Sequence, residues 1–146
     1  MRIPALLIAA VFGAVTVTLW GLANQPVAEP KWPERIQGFA FSPYRAGQDA
    51  VAGNFPTVKQ IDEDLVLLKD RTRSIRTYTT DGTIGEVPAL AEKHQIKVAL
   101  GAWIDARYAH NATEIERAIR LARRHSNVIR LIVGNEVILR GDIPVS

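Results

Sequence analysis

The sequence predicts an α/β fold: the first half, about four βα units, of a (β/α)8 TIM barrel, set behind an N-terminal membrane segment. Three observations carry this. Strand-like and helix-like patterns alternate with short connections from Ile36 to Arg140, the signature of a parallel sheet covered by helices. The apolar stretch that starts at Ala5, extended to Ala23, approaches the roughly 20 residues that span a bilayer. The fourth strand runs into Gly134-Asn135-Glu136, so a carboxylate sits at an apolar strand tip. That placement is costly unless the group is hydrogen-bonded or has work to do, and strand tips are where barrel enzymes hold catalytic groups. A capping or ion-pairing carboxylate is the plainer alternative for Glu136.

With 146 residues the chain is long enough for one ordinary domain. A composition 47% hydrophobic and 23% charged excludes a disordered chain. The net charge of +3 is too small to argue for a nucleic-acid partner. The absence of cysteine excludes disulfides, thiolate metal sites and a cysteine nucleophile. No GxGxxG or Walker pattern supports a nucleotide fold. His94, His110 and His125 lack metal-ligand spacing, so neither metal nor cofactor is expected.

Residues 1–23 read as a transmembrane anchor or a signal peptide. Arg2 ahead of the uncharged run predicts a cytoplasmic N-terminus, and Trp20 suits the outer interface. Gly21-Leu22-Ala23 is a small-x-small cleavage pattern for the rival reading. Either way the remainder is exported, to the periplasmic side of an inner membrane or as a secreted protein. Residues 24–35 hold three prolines and read as an extended linker. Residues 36–146 form the folded part.

Within it, Ile36 to Tyr44 predicts the first strand, ended by Pro43, and Arg45 to Pro56 a loop. Thr57 is placed to cap a helix whose inner stripe is Val58, Ile61, Leu65 and Leu68. Ser74 to Thr80 is β-branched and predicts the second strand, turned by Asp81-Gly82. Val87, Leu90, Ala91 and His94 stripe a second helix. Ile96 to Ile104 predicts the third strand. Asn111 or Thr113 starts a third helix with Ile115, Ala118, Ile119 and Ala122 inward, and Glu116 pairing with Arg120 on the outside. Val128 begins the fourth strand. A complete barrel needs about 250 residues, so the chain is expected to be a fragment that exposes two sheet edges and is unstable alone. Phe39, Phe41, Ile75, Val98, Leu100, Leu131 and Val133 are candidates for its inner face, although strand alternation leaves open which of them point inward.

Arg76-Thr77-Tyr78 on the second strand, Leu100 to Asp105 on the third and Val133 to Val137 on the fourth together resemble glycoside hydrolase family 17. The similarity covers Ile36 to about Asp142. It looks closest to the bacterial membrane-attached branch, which is often fused to a glycosyltransferase domain and concerned with exported β-glucan. The resemblance implies a retaining β-1,3-glucan hydrolase or transglycosylase. Glu136 would match its general acid/base and Asn135 the neighbour that bonds the sugar 2-hydroxyl. Arg76 and Tyr78 would line the site near the cleaved bond. The family's nucleophile is a second glutamate on strand seven, which this chain lacks, so the chain alone is expected to be inactive. A general acid must hold its proton near neutral pH, through burial or a neighbouring carboxylate; the apolar strand tip is expected to supply the burial.

Trp103 and Tyr44 are candidates for stacking on sugar rings, or equally core aromatics. Asp105 suits a helix cap as well as substrate contact. His110 and His125 read as solvated. Arg117, Arg120, Arg123 and Arg124 crowd the third helix, but the interleaved Glu114 and Glu116 favour a solvated outer face over a polyanion site. The contrasting function is a non-catalytic, membrane-tethered sugar-binding or scaffold module that assists a glucan synthase.

Overall fold

The structure is a computed structural model that describes residues 3–144. Its contacts divide the chain into two units, Met1–Trp32 and Pro33–Ser146. In the first, helix α1 (Ile3–Ala23) has every described side chain exposed. At 1.5 Å per residue it is about 31 Å long, and by length and composition it could cross a membrane.

The second unit alternates as expected: β1 (Phe39–Ala40), α2 (Val58–Leu68), β2 (Ser74–Arg76), a 3-10 turn at Gly82–Glu86, α3 (Val87–Lys93), β3 (Lys97–Ala102), α4 (Tyr108–Arg124) and β4 (Val128–Val133). The four strands form one sheet in the order β1-β2-β3-β4, and every pair is parallel. Thr57 does cap α2. Its hydroxyl accepts from Gln60 N at 3.2 Å while Gln60 Oε1 accepts from Thr57 N at 2.8 Å, a reciprocal capping box. Ile61 and Leu65 are wholly buried beneath it, whereas Val58 at the helix start is exposed.

The register shows which side of the sheet faces the helices. Phe39, Ile75 and Val98 lie side by side, as do Ala40, Arg76 and Ala99. Phe41, Ile75, Val98, Leu100 and Ala102 join Ile61, Leu65, Val87, Leu90, Ala91 and Ala118 in one buried cluster. The aliphatic strand residues therefore point at the helix layer. The expected inner-face assignment of Phe41, Ile75, Val98 and Leu100 is corrected accordingly. Phe39, Leu131 and Val133 share that helix-side face, yet stay 41%, 39% and 60% exposed at the sheet edges. The opposite face carries Arg76, Ala99, Gly101 and Ile132.

Three elements differ from expectation. β1 is confined to Phe39–Ala40 within the expected Ile36 to Tyr44. Regular pairing in β2 stops at Arg76 rather than Thr80, because Thr77 turns its hydroxyl to accept from Gly101 N at 3.1 Å. Helix α4 starts at Tyr108, ahead of Asn111 and Thr113. Asn111 instead faces inward and bonds the loop before the helix, donating to Asp105 O at 2.7 Å and accepting from Asp105 N at 3.0 Å. The buried stripe of α4 is Asn111, Glu114 and Ala118, rotated from the apolar one expected, and Ile119 is 38% exposed. Glu116 and Arg120 form no ion pair with each other.

Gly101 is the tightest point of the sheet. A Cβ there would overlap Thr77 O and lie 2.6 Å from Tyr78 Cα. Gly101→Ala should therefore cost about 3 kcal/mol, read as a shift in the denaturation midpoint. Leu67→Ala on the exposed face of α2 should stay within about 0.5 kcal/mol; equal effects of the two would contradict this packing.

Candidate active site

The carboxyl ends of β2, β3 and β4 hold most of the polar candidates. β4 leaves the sheet at Gly134, whose N–H still donates to Ala102 O at 2.9 Å. Gly134 has φ 81° and Glu136 φ 54°. A left-handed glutamate is uncommon and costs on the order of 1–3 kcal/mol unless its surroundings hold it. Here a turn holds it: Glu136 O accepts from Arg140 N at 2.9 Å, and Val137 O accepts from Asp142 N at 3.0 Å. The bend leaves the Glu136 side chain exposed. The burial expected of an apolar strand tip is thus not supplied by the described residues.

Arg76 on β2 reaches across β3 and donates from Nη2 to Asn135 Oδ1 at 2.9 Å. The reach is possible because β3 presents the small residues Ala99 and Gly101 on that face between the two strands. The Arg76 guanidinium also lies 4.9 Å from the Tyr78 ring centroid, within cation–π range. Its Nε is buried without a partner among the described residues. Arg76 and Tyr78, from one strand end, and Asn135, far from them in the chain, thus form one connected group beside Glu136.

Trp103, just past β3, is half-buried, and the Arg140 guanidinium lies 4.1 Å from its ring centroid. Arg140 Nη2 donates to Ile104 O at 2.8 Å and Nε to Asp142 at 2.8 Å. One ring face of Trp103 is therefore taken by a cation. Tyr44 lies apart from this group. It packs on the core edge with its ring 6.3 Å from Phe55. Burial first, then the charges of Asp81 and Asp49, push its phenol up from its ordinary value.

Sequence reading missed Glu114. It is fully buried, not part of a solvated face. Its Oε2 accepts from Thr80 N at 3.0 Å and Trp103 N at 2.9 Å, and its Oε1 from the Thr79 hydroxyl at 3.0 Å. Arg117 Nη1 lies 3.5 Å away and also bonds Asp81 at 2.9 Å. A charged residue four positions before Ala118, in phase with it on one helix face, was the only available signal. His110 and His125 are not free in solvent either. His110 Nε2 is 3.4 Å from Asp81, and His125 Nδ1 is 3.1 Å from Glu92, whose carboxyl it holds below its usual range. The possible ligand atoms of Asp81, His110 and Glu114 lie within 4.8 Å of one another. Arg117 already supplies the positive charge there, and Glu114 is occupied by amides.

A parallel sheet backed by helices, with its polar side chains gathered at the strand carboxyl ends, is the architecture of part of a (β/α) barrel. Residues 38–146 match the model of the BtgE/BtgC glycoside hydrolase domain, and the chain belongs to that family. Among solved structures it is similar to a glycoside hydrolase family 17 β-1,3-glucanosyltransferase from Rhizomucor miehei, and to an active-site mutant of that enzyme in complex with laminaritriose. Each is 27% identical with a TM-score of 0.59 over 75% of this chain. The chain spans only 40% of the length of those structures. No curated protein matches it.

Asp105 serves the approach to α4 and is not its cap: Arg107 takes the cap position. Asp105 accepts from Arg107 N at 2.8 Å and from the Arg107 side chain. That side-chain hydrogen bond, working against burial, lowers the Asp105 carboxyl to about 2. A carboxylate lowered on folding stabilises above its unfolded value, about 3.9, and loses that contribution as pH falls through the folded value. Asp105→Asn should flatten the stability loss between about pH 4 and pH 2 and leave the slope at higher pH unchanged, as followed by thermal melts. An unchanged acid limb would refute the pairing.

Proposed function

We propose that this chain supplies the acid/base half of a retaining site acting on β-1,3-glucan, by hydrolysis or glucosyl transfer. Glu136 is the general acid/base, and Asn135 bonds the sugar 2-hydroxyl. Arg76 and Tyr78 line the position of the cleaved bond. Trp103 offers its free ring face to a sugar, and Tyr44 is an outlying contact. The observation that carries the reading is the Arg76–Asn135 hydrogen bond beside a strained, exposed Glu136: remote residues converge on one carboxylate at a strand tip. Membership of a glycoside hydrolase family and the likeness to a β-1,3-glucanosyltransferase support it.

Retaining chemistry needs a second carboxyl about 5–5.5 Å from the first, one attacking the anomeric carbon while the other protonates the leaving oxygen. In this reading residues 36–146 are the N-terminal half of the barrel, and the nucleophile comes from a complementary half that also encloses Glu136. The exposed Ile129, Leu131, Val133, Ile138 and Leu139 at and beyond β4 support such a partner half. Residues 1–23 form the membrane segment or signal and 24–35 the linker, which places the barrel outside the inner membrane, with a glycosyltransferase domain as a candidate neighbour. The alternative is a binding module that performs no chemistry.

Glu136→Gln decides between them. In a protein carrying the complete barrel it should lower glucan turnover by about 10²–10⁴ while laminaritriose binding persists; full turnover would remove Glu136 from the mechanism. The 146-residue chain itself should leave laminarin intact and self-associate through its open β4 edge. A monomeric, laminarin-degrading chain would overturn both the half-barrel and the missing carboxylate.

A further inference from the structure

Helix α4 and the Gly82–Glu86 turn enclose an open groove of about 810 Å³. Arg117, Arg120, Arg123 and Arg124 all line it, and Glu86 is the one carboxylate among the lining residues. The side chains of Arg120, Arg123 and Arg124 are exposed and make no hydrogen bond or ion pair to any described residue. The interleaved acids that seemed to balance them do not do so equally. Glu114 turns into the core and is consumed by the strand-tip amides, while Glu116 stays exposed and outside the lining.

Positions 117, 120 and 124 fall on one face of the helix, with 123 next to 120. Like charges at these spacings repel and weaken a helix. The helix dipole accounts for Arg123 and Arg124 in the last turn but not for Arg117 and Arg120. Thr80 supplies a second, independent feature. It lines the same groove, is wholly buried, and its hydroxyl has no partner among the described residues. Guanidinium groups with free forks suit a multivalent oxyanion, which accepts several charge-assisted bonds at once.

We propose that this groove binds a phosphate-type oxyanion, carried by a lipid headgroup or by a soluble phosphate ester. It is a separate site from the strand-tip group, and it does not depend on the glucan reading.

The test uses the full chain in micelles of a neutral detergent, titrated calorimetrically with inorganic pyrophosphate. Binding should weaken as salt rises, by charge screening. It should fall at least about tenfold in the triple variant R120A/R123A/R124A, whose helical circular dichroism should match the parent because all three side chains are exposed. Doping the micelles with phosphatidylglycerol, against phosphatidylcholine as control, separates the sources. Competition with pyrophosphate identifies the lipid headgroup, and undisturbed binding identifies the soluble phosphate. No pyrophosphate binding by the parent chain, or equal binding by the triple variant, overturns the proposal.

Discussion

The buried carboxylate of Glu114 is the constraint on which the candidate site depends. A carboxylate removed from water is tolerated only when its acceptors are filled, and here the donors come from the tips of two strands. Ladder pairing in β2 ends at Arg76 and in β3 at Ala102, so the amides of Thr80 and Trp103 have no strand to bond. Glu114 takes both. It works as a surrogate strand edge carried by a helix. An unpaired buried amide costs about 1–3 kcal/mol, so losing this side chain would release two strand tips together.

From those tips the constraint passes to the β4 turn. Trp103 is held by its amide, Arg140 lies over its ring, and the Arg140 backbone closes the turn on Glu136 O. The other support comes from Arg76 through Asn135, and it requires that β3 show nothing larger than Ala99 on the intervening face. The Glu136 backbone is thus gripped from both sides while its side chain stays open. A left-handed non-glycine backbone survives only where neighbours over-determine it, and these two supports are the neighbours.

The fold was legible because its determinants are local: alternating periodicities, a capping threonine and glycine turns. Arg76, Tyr78, Asn135 and Glu136 were legible as a pattern at the ends of the second and fourth strands, and three of the four are joined by direct contacts in the structure. What escaped was long-range and polar. Apolar periodicity orients a helix by assuming that charges face water. In α4 that assumption fails at Asn111 and Glu114, which are buried for their hydrogen bonds, and the expected stripe came out rotated. The strand faces misled for a related reason. In a barrel the aliphatic side of each strand meets the helices, so Ile75 and Val98 report the outer layer, whereas the lumen side is read from Arg76, Ala99 and Gly101.

The same rotation gives α4 its two characters. By turning inward, Glu114 serves the strand tips and withdraws a negative charge from the surface. A sequence count sets two glutamates against four arginines on this helix; the folded surface sets only Glu116 against them, with Arg117 partly engaged by Asp81. Burial of one carboxylate therefore acts at both ends of an argument usually made separately. It orders the backbone at the sheet's carboxyl end, and it leaves the helix's outer groove with an excess of guanidinium groups. Fields of this kind follow from where charges are placed rather than from net composition, which is why a chain of modest overall charge presents a strongly basic groove.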